Sequence, residues 1–410
     1  MKKFIKNFSL ILISLIISIY VVEGILLLIT PDEEKNLINL NEIRVENAKK
    51  LNLKYDLRSP GEAFKDMRKK IDNLSINYRF IKFNSDTQNI TLKKAINGFE
   101  IIPFRGPINK PTLNCAEDLT YRISQNDRYG FKNPNKIYEK KINAIILGDS
   151  FAEGWCYNEN DDVAGILRKK NLNTLNLGIA GGGPLLSYAV MKEYIPSHNP
   201  KYIFFLYCES NDLLDLQKEK NNFLLKNYLD DDFSQKLMKN LEKKQIFLNN
   251  MDTELREKFE NKYGPQIVTK DKKQISFHKL RDFLELSKIK NITKPLLFFK
   301  KETESKELFF KIIDNMNNFS KKRDAEFIFV YLPSWERYFA KYSKYNKYIS
   351  EKKNIMQKLN SMNIKTIDID KVFLKQQSLE ELFPLNYYGH YSKLGYEKVA
   401  ETILFSIKGM

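Results

Sequence analysis

A serine delivered by an apolar run is the first residue here with the makings of chemistry. In Ala144-Ile-Ile-Leu-Gly-Asp-Ser-Phe-Ala-Glu-Gly-Trp155, four apolar residues stop at Gly148 and Asp149, and Ser150 follows at once. Such a hydroxyl attacks only if a base takes its proton, and histidine is the side chain suited to that near neutral pH. The chain has three histidines. His198 sits among turn residues and His278 in a charged stretch, which makes both incidental. His390, in Asn386-Tyr-Tyr-Gly-His-Tyr-Ser-Lys-Leu-Gly-Tyr396, lies beyond the last strand signal. Acyl transfer also needs N–H donors for a developing oxyanion. The glycine-rich Thr174-Leu-Asn-Leu-Gly-Ile-Ala-Gly-Gly-Gly-Pro184 and the polar Glu209-Ser-Asn-Asp212 could supply them. Two plainer readings stand beside these. Gly-Asp-Ser is also an ordinary turn with a helix cap. A glycine loop before a helix can cradle a phosphate, although the order here is not G-x-G-x-x-G and no Walker lysine follows.

The elements that must carry these groups to one place read as alternating strands and helices. Ala144–Gly148 predicts a buried strand, Val163–Lys170 a helix, Thr174 the start of a second strand, and Lys201–Cys208 a third. Lys306–Phe319 predicts a helix leading into a fourth strand, Glu326–Leu332. Lys347–Met362 then leads into a fifth, Ile364–Ile369, and Glu397–Ile407 closes the chain as a helix. Such repetition implies an α/β fold with a parallel sheet covered by helices, and ligands in these sheets sit at the carboxyl ends of the strands. From Leu213 to about Thr303 the chain reads as a helical insertion beside that edge, with helical patches at Phe233–Phe247 and Leu280–Leu286 and no site signature.

The N-terminus carries a membrane signal. Met1-Lys-Lys-Phe-Ile-Lys6 precedes Phe8–Ile29, which is apolar apart from Ser9, Ser14, Ser18, Glu23 and Gly24. At about 1.5 Å per residue this run crosses a hydrocarbon layer of about 30 Å, with the lysines cytoplasmic and the remainder outside the cytoplasm. A cleaved signal peptide is the alternative. The run continues through Ile25–Ile29, which favours an uncleaved anchor, residues 1–30. Residues 31–113 then read as an extracytoplasmic lead-in without chemistry, with helical pieces at Asn47–Leu53 and Pro60–Leu74, and 114–410 as the main domain.

Composition limits the partners. The chain has 410 residues, 68 Lys and Arg against 51 Asp and Glu, and a net charge of +17. The basic residues are scattered among acidic ones, without a block interleaved with stacking aromatics, so no nucleic acid is expected. Three cysteines make neither a disulfide framework nor a metal set, and no cofactor is expected. In an oxidising compartment, Cys115 and Cys156 could bridge the lead-in to the stretch after Ser150, closing about 40 residues with about 4 kcal/mol on the chain-entropy model. Cys208, inside an apolar run, reads as an inert buried thiol.

Taken in order, these motifs resemble those of the SGNH (GDSL-type) hydrolase superfamily, and more narrowly its membrane-anchored bacterial members. Gly148-Asp149-Ser150 matches the first block, Asn176-Leu-Gly-Ile-Ala-Gly181 the second, Asn211-Asp212 the third, and His390 with Gly395 the fifth, over roughly Cys115–Ile407. The resemblance implies a flavodoxin-like sheet of order 2-1-3-4-5. It implies Ser150 as nucleophile and His390 as base, with an oxyanion hole formed by the Ser150 and Gly181 N–H groups and the Asn211 amide, supported by Asp149 and Asp212. It further implies an esterase or O-acyltransferase acting on O-acyl groups, foremost O-acetyl, of envelope or exported carbohydrate. A non-catalytic glycan-binding or assembly protein is the alternative. Two positions depart from the family pattern. Glu209 stands where the family has Gly, which would narrow the pocket or change the substrate. Tyr387 stands where it has Asp three places before the histidine. A Ser-His dyad is therefore expected, helped by a backbone carbonyl, the Tyr387 hydroxyl, or Asp368 and Asp370.

Overall fold

The computed structural model describes residues 2–29, 40–79, 101–263, 283–339 and 342–408. The chain forms two units, Met1–Ile43 with Gln266–Glu304, and Arg44–Pro265 with Ser305–Met410. His278, and the start of the helical patch expected at Leu280, lie outside the described residues.

In the first unit, helix α1 (Lys2–Ile29) has no acid in its first turn, and beyond Asn7 it is apolar apart from its serines, Tyr20, Glu23 and Gly24. Its segment Asn7–Leu26 has a mean hydropathy of 2.4 and is long and apolar enough to cross a membrane. Exposed Phe8, Ile11 and Leu15 are the surface such a helix would give to lipid. Glu23, the acid inside the run, accepts the Ile289 N–H at 2.8 Å.

α2 (Leu40–Lys50), whose first residues belong to the first unit, starts upstream of the expected Asn47–Leu53 and is followed in the second unit by α3 (Pro60–Arg68). α3 starts where the sequence says it should, because Ser59 and Glu62 form a reciprocal capping box ahead of Pro60. Its expected continuation to Leu74 stops at Arg68. Within the described parts of the expected lead-in, Phe64, Leu74 and Phe104 have no exposed surface and belong to the same core as the central sheet. Apolar side chains spaced through an extended segment bury themselves on the nearest hydrophobic layer.

Five parallel strands make that sheet: β1 (Ala144–Gly148), β2 (Thr174–Asn176), β3 (Tyr202–Cys208), β4 (Glu326–Leu332) and β5 (Lys365–Asp368). Their spatial order is β2-β1-β3-β4-β5, the flavodoxin-like arrangement. Every residue of β1, β2 and β3 is buried, which is why they are continuous apolar runs. Side chains alternate between two cores. Ile145, Leu147, Phe205, Tyr207 and Phe329 point to one, and Ile146, Phe204, Leu206, Ile328 and Val330 to the other.

Helices α4 (Ser150–Glu153) and α5 (Val163–Lys169) link β1 to β2, and α6 (Pro184–Tyr194) links β2 to β3. Between β3 and β4 come α7 (Asp212–Glu219), α8 (Leu241–Tyr263) and α9 (Ser287–Lys321), the last beginning in the first unit. α10 (Trp335–Phe339) and α11 (Tyr342–Ser361) precede β5, and α12 (Ile369–Phe373) and α13 (Lys393–Lys408) follow it. The helix expected at Phe233–Phe247 starts only at Leu241. Ahead of it, Glu193 accepts the N–H groups of Gln235 at 2.6 Å and Leu237 at 2.8 Å, and these bonds hold the segment as a loop.

Burial of the early segment makes a direct prediction. Phe104→Ala should lower the unfolding free energy by about 3–5 kcal/mol, the usual cost of a large apolar truncation in a packed core. Urea unfolding of the detergent-solubilised protein, followed by circular dichroism, measures it; an unchanged midpoint would return residues 101–113 to a detached stalk.

Candidate active site

β1 ends against a turn that only glycine fits. Gly148 has φ 140°, and a Cβ there would lie 2.5 Å from the Leu206 carbonyl oxygen. Asp149 then caps α4 by accepting the Phe151 N–H at 2.8 Å, which leaves Ser150 as the first helical residue at the carboxyl edge of the sheet. His390 reaches the same edge from the loop before α13. Its Nε2 lies 2.8 Å from Ser150 Oγ.

The other ring nitrogen has a carboxylate partner, so the expected dyad is corrected. Nδ1 lies 2.9 Å from Glu117 Oε2, and the His390 backbone N–H donates to the same oxygen at 2.9 Å. Arg44 of α2 approaches Glu117 Oε1 at 3.5 Å. The network assigns the proton to Nδ1, leaving Nε2 to accept from the serine. Burial works against the imidazolium, but the Glu117 charge and hydrogen bond outweigh it and raise the His390 pKa above its ordinary value. Burial would likewise raise Glu117. The charge of His390, its hydrogen bond, and Arg44 together hold the carboxyl below the usual range.

None of the substitutes foreseen for the acid does this job. Tyr387 packs against Trp335 in a tilted contact, with ring centroids 5.3 Å apart. Asp368 pairs with Lys352 at 2.8 Å, and Asp370 takes Lys352 and the Tyr338 hydroxyl, each at 2.7 Å. Glu209 does not narrow the cavity. It is buried beneath the strand ends, paired with Arg337 through both oxygens, and accepts the Ser334 N–H at 2.9 Å. Such a bidentate, hydrogen-bonded pair is how a buried carboxylate is tolerated.

Ser150, His390 and Gly181 line one cavity of about 310 Å³. Among the described residues, the N–H groups of Ser150 and Gly181 have no hydrogen-bond acceptor. Gly181 adopts φ 66°, a left-handed conformation open to glycine at little cost. Asn211, the third expected donor, gives its amide to Asp149 Oδ2 at 2.8 Å and Asp215 Oδ2 at 3.2 Å, and is not part of the cavity wall. Asp149 is fully buried, and desolvation raises its pKa despite those two donors. Asp212 accepts the Cys208 N–H at 2.8 Å and so turns the chain after β3. Desolvation and the neighbouring Asp149 push its pKa well above the carboxylate range.

The remaining wall comes from residues that the sequence did not single out. Asn77, Tyr78 and Arg105 enter from the early segment, and Trp155 and Ile179 from the loops after β1 and β2. Arg105 and Glu153 form a buried ion pair at 2.6 Å. Arg105 also donates to the Gly178 carbonyl at 3.1 Å, and Glu153 accepts the Ala180 N–H at 2.6 Å. The pair thereby fixes the loop that carries Gly181 to the helix that carries Ser150. Cys115 and Cys156 form a disulfide, and Cys208 is a buried thiol. His198, away from this cavity, stacks on Tyr138. Among the described residues no group of three His, Cys, Asp or Glu side chains could hold a metal.

No protein-family model and no curated protein matches the sequence. Among solved structures, a member of the lipolytic protein G-D-S-L family from Veillonella parvula DSM 2008 is similar, with 12% identity over 65% of this chain and 99% of that chain, at a TM-score of 0.35. So is the lipase/acylhydrolase from Enterococcus faecalis, with 9% identity, 65% and 95% coverage, and a TM-score of 0.33. At such scores the likeness carries no assignment, and the chemistry has to be read from the site itself.

The Glu117 contact is testable without any substrate. With only three histidines in the chain, His390 should be resolvable by NMR titration, with a pKa above about 6.5 in the native protein. In Glu117→Gln the principal raising charge is gone while burial and the Asp149 charge remain, so the value should fall relative to the native protein. A titration that does not move would remove Glu117 from the site.

Proposed function

We propose that this protein is a serine-dependent ester hydrolase or acyl transferase of the SGNH type, with Ser150, His390 and Glu117 as its triad. The observation that carries this reading is the continuous hydrogen-bonded chain from Ser150 Oγ through both ring nitrogens of His390 to Glu117. A chain of this kind is what activates a weak nucleophile, and triads are recognised by geometry and roles instead of order in sequence. It supports catalysis over a glycan-binding role, for which a base poised on the hydroxyl has no use.

In the proposed reaction Ser150 Oγ attacks the ester carbonyl carbon while its proton passes to His390 Nε2. Glu117 stabilises the resulting imidazolium and stays ionised. The Ser150 and Gly181 N–H groups receive the oxyanion. Asn211, whose amide is held by Asp149 and Asp215 outside the cavity wall, completes the proposed hole only by leaving Asp215 and turning toward the cavity. Collapse of the intermediate expels the alcohol, which takes the proton from His390 and leaves an acyl-serine. Water, or a sugar hydroxyl in the transferase case, then attacks the acyl carbon while His390 takes its proton; the bond to Ser150 Oγ breaks, the acid or new ester leaves, and Ser150 recovers the proton from His390.

A cavity of about 310 Å³ is at the small end of ligand sites, which favours a short acyl group over a long chain. Trp155 and Tyr78 in its wall offer flat apolar faces suited to a sugar ring, in keeping with O-acetyl carbohydrate as substrate. Lysines ahead of the apolar helix and a disulfide in the second unit favour an anchored protein with its main body outside the cytoplasm.

A fluorophosphonate probe should label Ser150 in the native protein and leave Ser150→Ala unlabelled. Absence of label, while a known serine esterase reacts alongside, would sink the enzyme reading. Asn211→Ala should lower kcat by about 100-fold with KM nearly unchanged, since an oxyanion donor acts on the transition state. An effect confined to KM would assign Asn211 to substrate binding instead.

A further inference from the structure

The triad's acid belongs to a different part of the chain from its partners. Ser150 and His390 sit on the carboxyl edge of the central sheet, whereas Glu117 lies in the irregular segment between Leu113 and Ile123. Nothing in that segment's own secondary structure fixes the carboxylate. What fixes it is a set of ties. Two residues before Glu117, Cys115 is bonded to Cys156, six residues after the nucleophile. Beside this bond, Asn114 donates to the Tyr157 carbonyl at 2.9 Å, and the Tyr55 hydroxyl donates to the Ala116 carbonyl at 2.8 Å. The receiving side is rigid. Cys156 is buried with φ 67°, and buried Lys132 grips its neighbours by donating to the Gly154 carbonyl at 2.6 Å and the Tyr157 carbonyl at 3.0 Å. Of the ties on the acid's own segment, the disulfide alone is covalent.

We infer that the Cys115–Cys156 disulfide positions Glu117, so that the triad is complete only after this bond has formed. The inference rests on the Ser150–His390–Glu117 reading and adds a condition to it. Before oxidation Glu117 is held only by the non-covalent ties of an irregular segment, those from Tyr55, Asn114 and Arg44. Oxidation transfers two electrons and two protons from Cys115 and Cys156 to a partner disulfide, which leaves as two thiols, and the new S–S bond sets the acid against His390 Nδ1. An esterase made in a reducing compartment would thus stay weakly active there and gain its full rate where disulfides form. The charged groups facing His390 are Glu117, Asp149 and Arg44, and of these only Glu117 lies within two residues of the disulfide.

The test compares Glu117→Gln, the double variant Cys115→Ser with Cys156→Ser, and the triple variant, all in the full-length protein with a soluble acetyl ester. The double variant should lose kcat by about 100-fold with little change in KM, the scale of an ångström-sized misplacement. The triple variant should be no worse than Glu117→Gln, because the disulfide acts through that carboxylate. His390 should titrate lower in the double variant, as in Glu117→Gln. Reduction of the folded native protein with a dithiol should reproduce the loss, and a small-molecule disulfide should restore it. Multiplying losses, an unmoved His390 titration, or loss of circular dichroism on reduction would each overturn the inference and leave the bond a purely structural one. The titration needs no turnover, so an inactive native protein would overturn the esterase reading while leaving the positioning role decided.

Discussion

A carboxylate closed in beside an imidazole is stable only if each supplies what the other has lost from water. Glu117 and His390 do so through two hydrogen bonds to one oxygen, from Nδ1 and from the histidine's own N–H. The second bond matters as much as the first, since it ties the ring to the backbone that carries it and leaves the imidazole one orientation. With Nδ1 committed, Nε2 faces Ser150, and the position of the nucleophile is fixed by the glycine turn after β1. The wall around the serine follows from the same constraint, because the segment that brings Glu117 also belongs to the part of the chain that supplies Asn77, Tyr78 and Arg105.

The same solution recurs around the sheet edge. Glu153 holds the Gly178–Gly181 loop through Ala180. Glu219 receives the N–H groups of Gly183 and Leu185 at the start of α6, and burial raises its pKa to about 7. Glu193 gathers the Ser234–Leu237 loop, and Glu209 the turn after β4. Loops that enclose a cavity cannot satisfy their own N–H groups as helices and strands do, and buried carboxylates replace the missing ladder. Each exacts a desolvation cost that its partners must offset, which is why Arg105, Arg337 and several N–H groups converge on single acids. On the cavity wall this holds for the loop carrying Ala180 and Gly181, which the Arg105–Glu153 pair ties down.

How much of this is legible in the sequence depends on how local the determining interaction is. The central strands β1 and β3 read correctly because strands buried on both faces must be apolar throughout, and the serine turn reads because glycine and an N-cap are short-range requirements. The acid does not read. Glu117 lies 273 positions from His390 in a segment without periodicity, and a like-for-like search three places before the histidine finds Tyr387. One signal pointed the right way: pairing Cys115 with Cys156 brings whatever follows Cys115 close to the serine, and an acid two residues on is then the natural partner for the base. Glu209 is the converse case. It looked like an obstruction because its partner Arg337 stands 128 positions later.

The distribution of the triad over the chain follows from what each member does. The nucleophile must present its oxygen at one angle to the carbonyl and to two N–H donors, so it needs the stiffest support, a strand end locked by a glycine and a cap. The base has to reach that oxygen, and a loop closed against the same edge suffices. The acid never meets substrate; it orients a ring and balances a charge, so any segment that can be held at 2.9 Å will serve. Freedom in the choice of segment is offset by the need to hold it. An irregular stretch has no hydrogen-bond ladder of its own, and the ties to Tyr55, Arg44, Tyr157 and Cys156 supply from outside the rigidity that a strand would have had from within.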